Sequence, residues 1–169
     1  MSESVRPAEG RKDTEHTTVE ESELENELRE IIEVRRGWTV EAVRENGGIR
    51  DTSPLSREQV SRANYLIDQE GTVPNYCFYN AQRIALRFDD ATYVEGFVLF
   101  SKYDILFDHA WVELDSKVVE VTYHEQPHTP HQSAYIGVEY DENTIRDVRA
   151  EHDKFSISHW VKRREAENR

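Results

Sequence analysis

Cys77, His109 and Glu120 place a thiol, an imidazole and a carboxylate in that order along the chain. Cys77 is the only cysteine. A thiolate attacks carbonyl carbon, an imidazole moves protons near neutral pH, and a carboxylate fixes a ring by accepting its other N–H. Together these are the parts of a cysteine-nucleophile acyl-transfer site. The plain alternative is a small buried thiol, a surface histidine and one acid among 34. What separates the two is the set of elements that carries the residues.

Pro74 disfavours helix at Val73, so a new helix is expected to begin around Asn75 to Cys77. Its inner face would be Cys77, Ala81, Ile84, Ala85 and Phe88 at helical spacing. A thiol at that end meets the positive pole of the helix dipole, which favours thiolate. The N–H of Cys77 is then a natural first oxyanion donor, and Asn75 or Asn80 a second. For the other two residues, a two-residue turn at Asp115-Ser116 pairs Leu114 with Lys117. That register sets His109 opposite Thr122 and Trp111 opposite Glu120. His109 and Glu120 become diagonal neighbours on one face, roughly 7–8 Å apart at the backbone. The other face, Ala110, Val112, Leu114, Val119, Val121 and Tyr123, is apolar and is expected to be core. A slip by one residue would bury His109, Glu113 and Glu120 in its place. Trp111 is read as packing beside the site or touching substrate with Asn75 and Asn80, and Glu113 as a solvated or structural acid.

The remaining chain supplies the frame. Residues 1–17 are few in apolar side chains and read as disordered. Residues 18–165 read as one domain, with a core over 71–140. Leu24, Leu28, Ile31 and Ile32 mark a helix over 18–36 that docks on the core or on a protein partner. Ser56 and Gln59 fit a capping box, and Val60, Ala63 and Ile67 the stripe behind it, ending before Gly71. After Asp89-Asp90 the texture becomes strand: Tyr93–Phe100, Phe107–Leu114, Lys117–Tyr123 and Ala134–Tyr140. The tail from Asp141 reads as helical. Helices first and a mostly antiparallel sheet of about four strands second define an α+β fold.

The composition excludes several classes. The net charge is −13, which argues against non-specific nucleic-acid binding. Only five of the 21 basic residues are lysine, and such acid-rich, lysine-poor chains resemble those of salt-loving organisms. One cysteine allows no internal disulfide, and no apolar run reaches the length of a membrane span. A cytoplasmic, soluble protein with no membrane contact is expected. His124, His128 and His131, spaced by four and three, could suggest a metal site, but they lie in a proline-containing loop and not on a helix face, with no cysteine beside them, so a surface loop with no metal or other cofactor is expected.

The ordered set of features resembles the transglutaminase-like superfamily, within the larger papain-like group of cysteine enzymes. The resemblance covers about residues 71 to 123. It rests on the cysteine opening a helix, the Tyr93-to-Gly96 strand, the HAW-x-E run from His109 to Glu113, and an acid before a threonine at Glu120-Val121-Thr122. Aspartate then Pro-Thr is usual in that family, and here Glu120 and Val121 take those places. Asn80-Ala81 and Tyr135-Ile136-Gly137 also echo small microbial and phage-type members. The resemblance implies a papain-like core and acyl transfer from a peptide or amide substrate through Cys77, His109 and Glu120. An inactive domain that keeps the fold and binds a protein is the competing expectation.

Overall fold

The computed structural model describes residues 15–100, 105–122, 133–151 and 156–169, with side chains from residue 23 onward. Helices α1 (Glu15–Val34) and α2 (Trp38–Asn46) come first, then a short strand β1 (Gly48–Ile49) and helices α3 (Arg57–Glu70) and α4 (Cys77–Arg87). Strands β2 (Thr92–Phe100), β3 (Ile105–Leu114), β4 (Lys117–Val119) and β5 (Ser133–Tyr140) follow, and α5 (Glu142–Glu151) and α6 (Ile157–Glu167) end the chain. The architecture is α+β. The strands form one sheet in the order β1-β5-β2-β3-β4, and every neighbouring pair is antiparallel.

Local chemistry explains the boundaries. Ser56 accepts from the Gln59 N–H while the Gln59 side chain accepts from the Ser56 N–H, so the capping box starts α3. Gly71, left-handed at φ 63°, ends it. Asp115 and Ser116 both take positive φ, the conformation that a two-residue hairpin turn demands. The pairs Val112–Val119, Glu113–Val118 and Leu114–Lys117 give the expected register. Three boundaries depart from the sequence reading. Strand β1 adds a fifth strand to the four expected, and α2 is a helix in a segment for which no element is expected. Strand β4 stops at Val119, well short of residue 123. Most of the amino-terminal stretch 1–17 and the histidines at 124, 128 and 131 lie outside the described residues.

The described helices that pack on the sheet share one face. Helices α1 and α2 bring Leu28, Ile32, Val40 and Val43 onto Phe97, Leu99, Ile136 and Val138. Ala63 and Leu66 of α3 and Ala81 and Ile84 of α4 pack on Tyr93, Ala110, Val112, Val119 and Val121, with α5 and α6 completing the cluster. Glu70, buried at the end of α3, pairs with Arg83 and Arg87 and fixes α4 against it. The other face is not solvated either. Val94, Val98, Trp111, Val118 and Tyr135 form a third cluster there.

Two glycines make that second cluster possible. Gly96 pairs with His109 on one side and Gly137 on the other, a row across three strands. A Cβ on Gly137 would lie 2.7 Å from the end of the Trp111 ring, and one on Gly96 would lie 2.0 Å from the Ile136 carbonyl. The bare floor lets Trp111 and Tyr135 meet edge to face at 5.0 Å. Gly96→Ala is therefore expected to cost about 3 kcal/mol in urea unfolding, since backbone has to move. Gly48→Ala, whose Cβ would meet nothing within 4 Å, should stay within about 0.5 kcal/mol. Equal losses at the two positions would remove the close-approach argument.

Candidate active site

Helix α4 begins at Cys77 because the preceding loop is held in place. Pro74 and Asn75, the latter in the left-handed region at φ 65°, turn the chain into the helix. The cap residue Tyr76 makes no side-chain bond to the first turn, so no side chain there competes for the N–H groups beside the thiol. The anchor comes from inside the helix. Asn80, buried, accepts from the Val73 N–H at 2.9 Å and donates to the Val73 carbonyl at 2.8 Å. It also donates to the Thr122 hydroxyl at 3.1 Å. Cys77 is left partly exposed at the head of the helix.

His109 lies on β3 and is completely buried. Its Nε2 stands 2.7 Å from Glu120 Oε2. Glu120 is held in turn: its Oε1 accepts the Thr122 N–H at 2.9 Å, and Tyr135 donates toward Oε2 at 3.4 Å. The imidazole also packs against Trp111, ring centres 6.1 Å apart and nearly parallel. Burial works against the charged ring, but the Glu120 carboxylate and a hydrogen bond to Cys77 outweigh it. They raise the His109 pKa to about 10. With Nε2 turned to Glu120, Nδ1 is the ring atom that faces the thiol.

The imidazole and the helix belong to opposite faces of the sheet. Helix α4 packs on Ala110 and Val112, whereas His109 shares its face with Trp111. They meet because β4 ends early. A ladder continued in register would set Thr122 beside His109, but pairing stops at Val119 and residues 121–122 bend away. Among the described residues, no strand flanks β3 on that side at His109. The thiol reaches the imidazole around this open edge.

The other residues singled out in the sequence separate by burial. Asn75 is exposed two positions before the thiol. Asn80 is spent on Val73 and Thr122, so it clamps the loop and offers no donor to a substrate. Trp111, fully buried, supports the imidazole and cannot form a substrate platform. Glu113 is not solvated: it is buried, accepts from Trp111 Nε1 at 3.3 Å and lies 3.8 Å from Arg50. Its pKa rises because burial outweighs Arg50.

Two further sets of residues matter here. Tyr135, from a distant strand, reaches Glu120 across the glycine floor. Glu95, fully buried on β2, accepts from the Tyr93 hydroxyl at 2.8 Å and from the N–H groups of Ile157 and Ser158 at the head of α6. Burial raises its pKa despite these donors and the Ser156 hydroxyl. An acid inside the otherwise apolar run TYVEGFVLF is the signal that points to Glu95. Tyr135 stands out in the sequence only as part of the Tyr135-Ile136-Gly137 run, which carries no sign of its contact with Glu120.

Among the described residues, no group of three or more His, Cys, Asp or Glu could hold a metal ion. None of their helices is long and apolar enough to cross a membrane. An open cleft of about 660 Å³ lies between α3 and the β3–β4 turn, lined by Gln59, Arg62, Tyr65, Asp90 and Lys117 among others. Neither Cys77 nor His109 lines it, so the thiol chemistry is placed at the β3 edge on the geometry of the reactive groups. No family model, curated protein or solved structure matches this chain.

Proposed function

We propose that this chain is a cysteine acyl-transfer enzyme, acting on an amide or peptide substrate by hydrolysis or by transfer to an amine. The observation that carries the reading is the buried His109–Glu120 contact at 2.7 Å beside a partly exposed thiol at a helix start. The thiolate of Cys77 attacks the carbonyl carbon, and the oxygen takes the charge next to the N–H of Cys77. Collapse breaks the bond to the leaving group, which departs with the proton from His109 Nδ1. A thioester on Sγ remains. Water or an amine then gives its proton to Nδ1 as it attacks, and the thiolate returns. Glu120 keeps Nε2–H fixed throughout and balances the imidazolium.

The α+β frame, a helix headed by cysteine and a His-to-acid hairpin support placing the chain as a small member of the transglutaminase-like superfamily. Glu120 in place of aspartate is compatible with this, since one added methylene still reaches Nε2. The test uses a simple acyl donor, p-nitrophenyl acetate. A burst of one equivalent of nitrophenolate is expected, with an acetyl group found on Cys77 by mass spectrometry. Cys77→Ser should give neither. A folded protein that releases nitrophenolate no faster than its Cys77→Ser variant does not use this thiol.

A further inference from the structure

Four of the large apolar side chains left exposed lie along the two segments that deliver the thiol and the imidazole. Val73 (38% exposed) and Tyr76 (44%) precede Cys77, and Ile105 (43%) and Phe107 (40%) precede His109. On β3 the alternation puts Ile105 and Phe107 on the same face as His109, the nearer one two residues away. The Val73 backbone and the Phe107 ring are also held. Both polar groups of the Val73 backbone are taken by Asn80, and Asn80 is tied through Thr122 to Glu120. The position of Val73 is therefore locked to the same hydrogen-bonded chain that orients His109. Phe107 is braced edge to face against Phe100, ring centres 5.8 Å apart.

We infer that Val73 and Tyr76 on one side and Ile105 and Phe107 on the other form an apolar rim that selects the acyl donor. The donor it fits carries a bulky aliphatic or aromatic side chain next to the reacting carbonyl. Such a side chain displaces water from rim groups already fixed, so little ordering cost opposes it. A charged side chain at that position would have to shed its own water without gaining a partner. This assignment of substrate class rests on the acyl-transfer reading, and its test separates the two.

The probes are the chloromethyl ketones of Nα-acetylated phenylalanine, leucine, aspartate and lysine. The Cys77 sulfur displaces chloride from each and keeps the residue as a thioether. Each rate is divided by the iodoacetamide rate of the same protein, which removes differences in thiol reactivity. The phenylalanyl and leucyl probes should react about tenfold faster than the aspartyl and lysyl ones, equivalent to about 1.4 kcal/mol. Val73→Ser and Phe107→Ser should each reduce that ratio to about three, and the double variant should bring it near one. Both positions are exposed, so the folded state should survive, as circular dichroism would verify. Equal rates for all four probes, or a tenfold preference that persists in the double variant, would overturn the rim. A folded protein that iodoacetamide does not label would instead overturn the acyl-transfer reading, and the rim with it.

Discussion

Iodoacetamide is expected to alkylate Cys77 in the folded protein at pH 6 at a rate that changes little up to pH 9. His109→Ala should lower the pH 6 rate by about a hundredfold and make it climb about tenfold per pH unit. The reason is the charge state of the pair. A free thiol, with a pKa of about 8.5, is thiolate in only about one molecule in three hundred at pH 6. His109 keeps its proton until about pH 10, so a cation stands on the side of the thiol throughout this range, and a nearby cation speeds attack by sulfur. Removing the imidazole removes that cation and leaves only the helix dipole, whose influence is weaker. The two profiles therefore differ in shape as well as height. A wild-type rate that climbs tenfold per unit from pH 6 to 8, matching His109→Ala, would mean that the imidazole does not hold the thiol ionised.

How much of this could be read from the chain depends on the range of the interaction. The helix headed by Cys77 was legible because Pro74 and the Ala81–Ile84 spacing act within a few residues. The register of the β3–β4 hairpin was legible because two positive-φ positions at Asp115 and Ser116 admit one short turn. Burial on one side only, however, is not what the sheet shows. His109, Glu113 and Glu120 are all buried in the correct register, because both faces of the sheet are covered. The alternation still chose correctly, since the second face is roofed by rings over glycine and not by helices. Residue pairs far apart in the chain left no local trace. Tyr135 reaches Glu120, and Ser156 reaches Glu95, through strand order and helix docking that no local pattern encodes. The early end of β4 belongs to the same group. Val121 and Thr122 favour strand by type, yet both lie in a bend beyond the last ladder pair.

The carboxylates provide the last and sharpest test, because Glu113 and Glu120 flank the same tryptophan–histidine stack and only one touches the imidazole. Glu120→Gln should lower the rate of the p-nitrophenyl acetate burst by about 10²–10³-fold, within the range attributed to positioned acid–base groups. An amide at position 120 cannot replace both oxygens. If its oxygen faces Nε2, its NH₂ points at the Thr122 N–H; turned over, it offers a donor to the imidazole. Either way the imidazolium loses its counter-charge in a buried setting, a change that costs about 3–5 kcal/mol. Glu113→Gln should leave the burst within about threefold, since Glu113 meets Trp111 and Arg50 and not His109. Arg50 also keeps Glu139 at 2.6 Å. Stability against pH gives a second readout with a definite sign. His109 has its pKa raised on folding, from 6.5 to about 10, so its contribution is fully present below about pH 6.5 and is lost as pH rises through 10. Wild type and Glu113→Gln should therefore both lose unfolding free energy across that window, while Glu120→Gln, lacking the anion that raises the pKa, should show a much flatter profile. Equal losses of burst rate from the two substitutions would assign the orienting role to neither carboxylate alone.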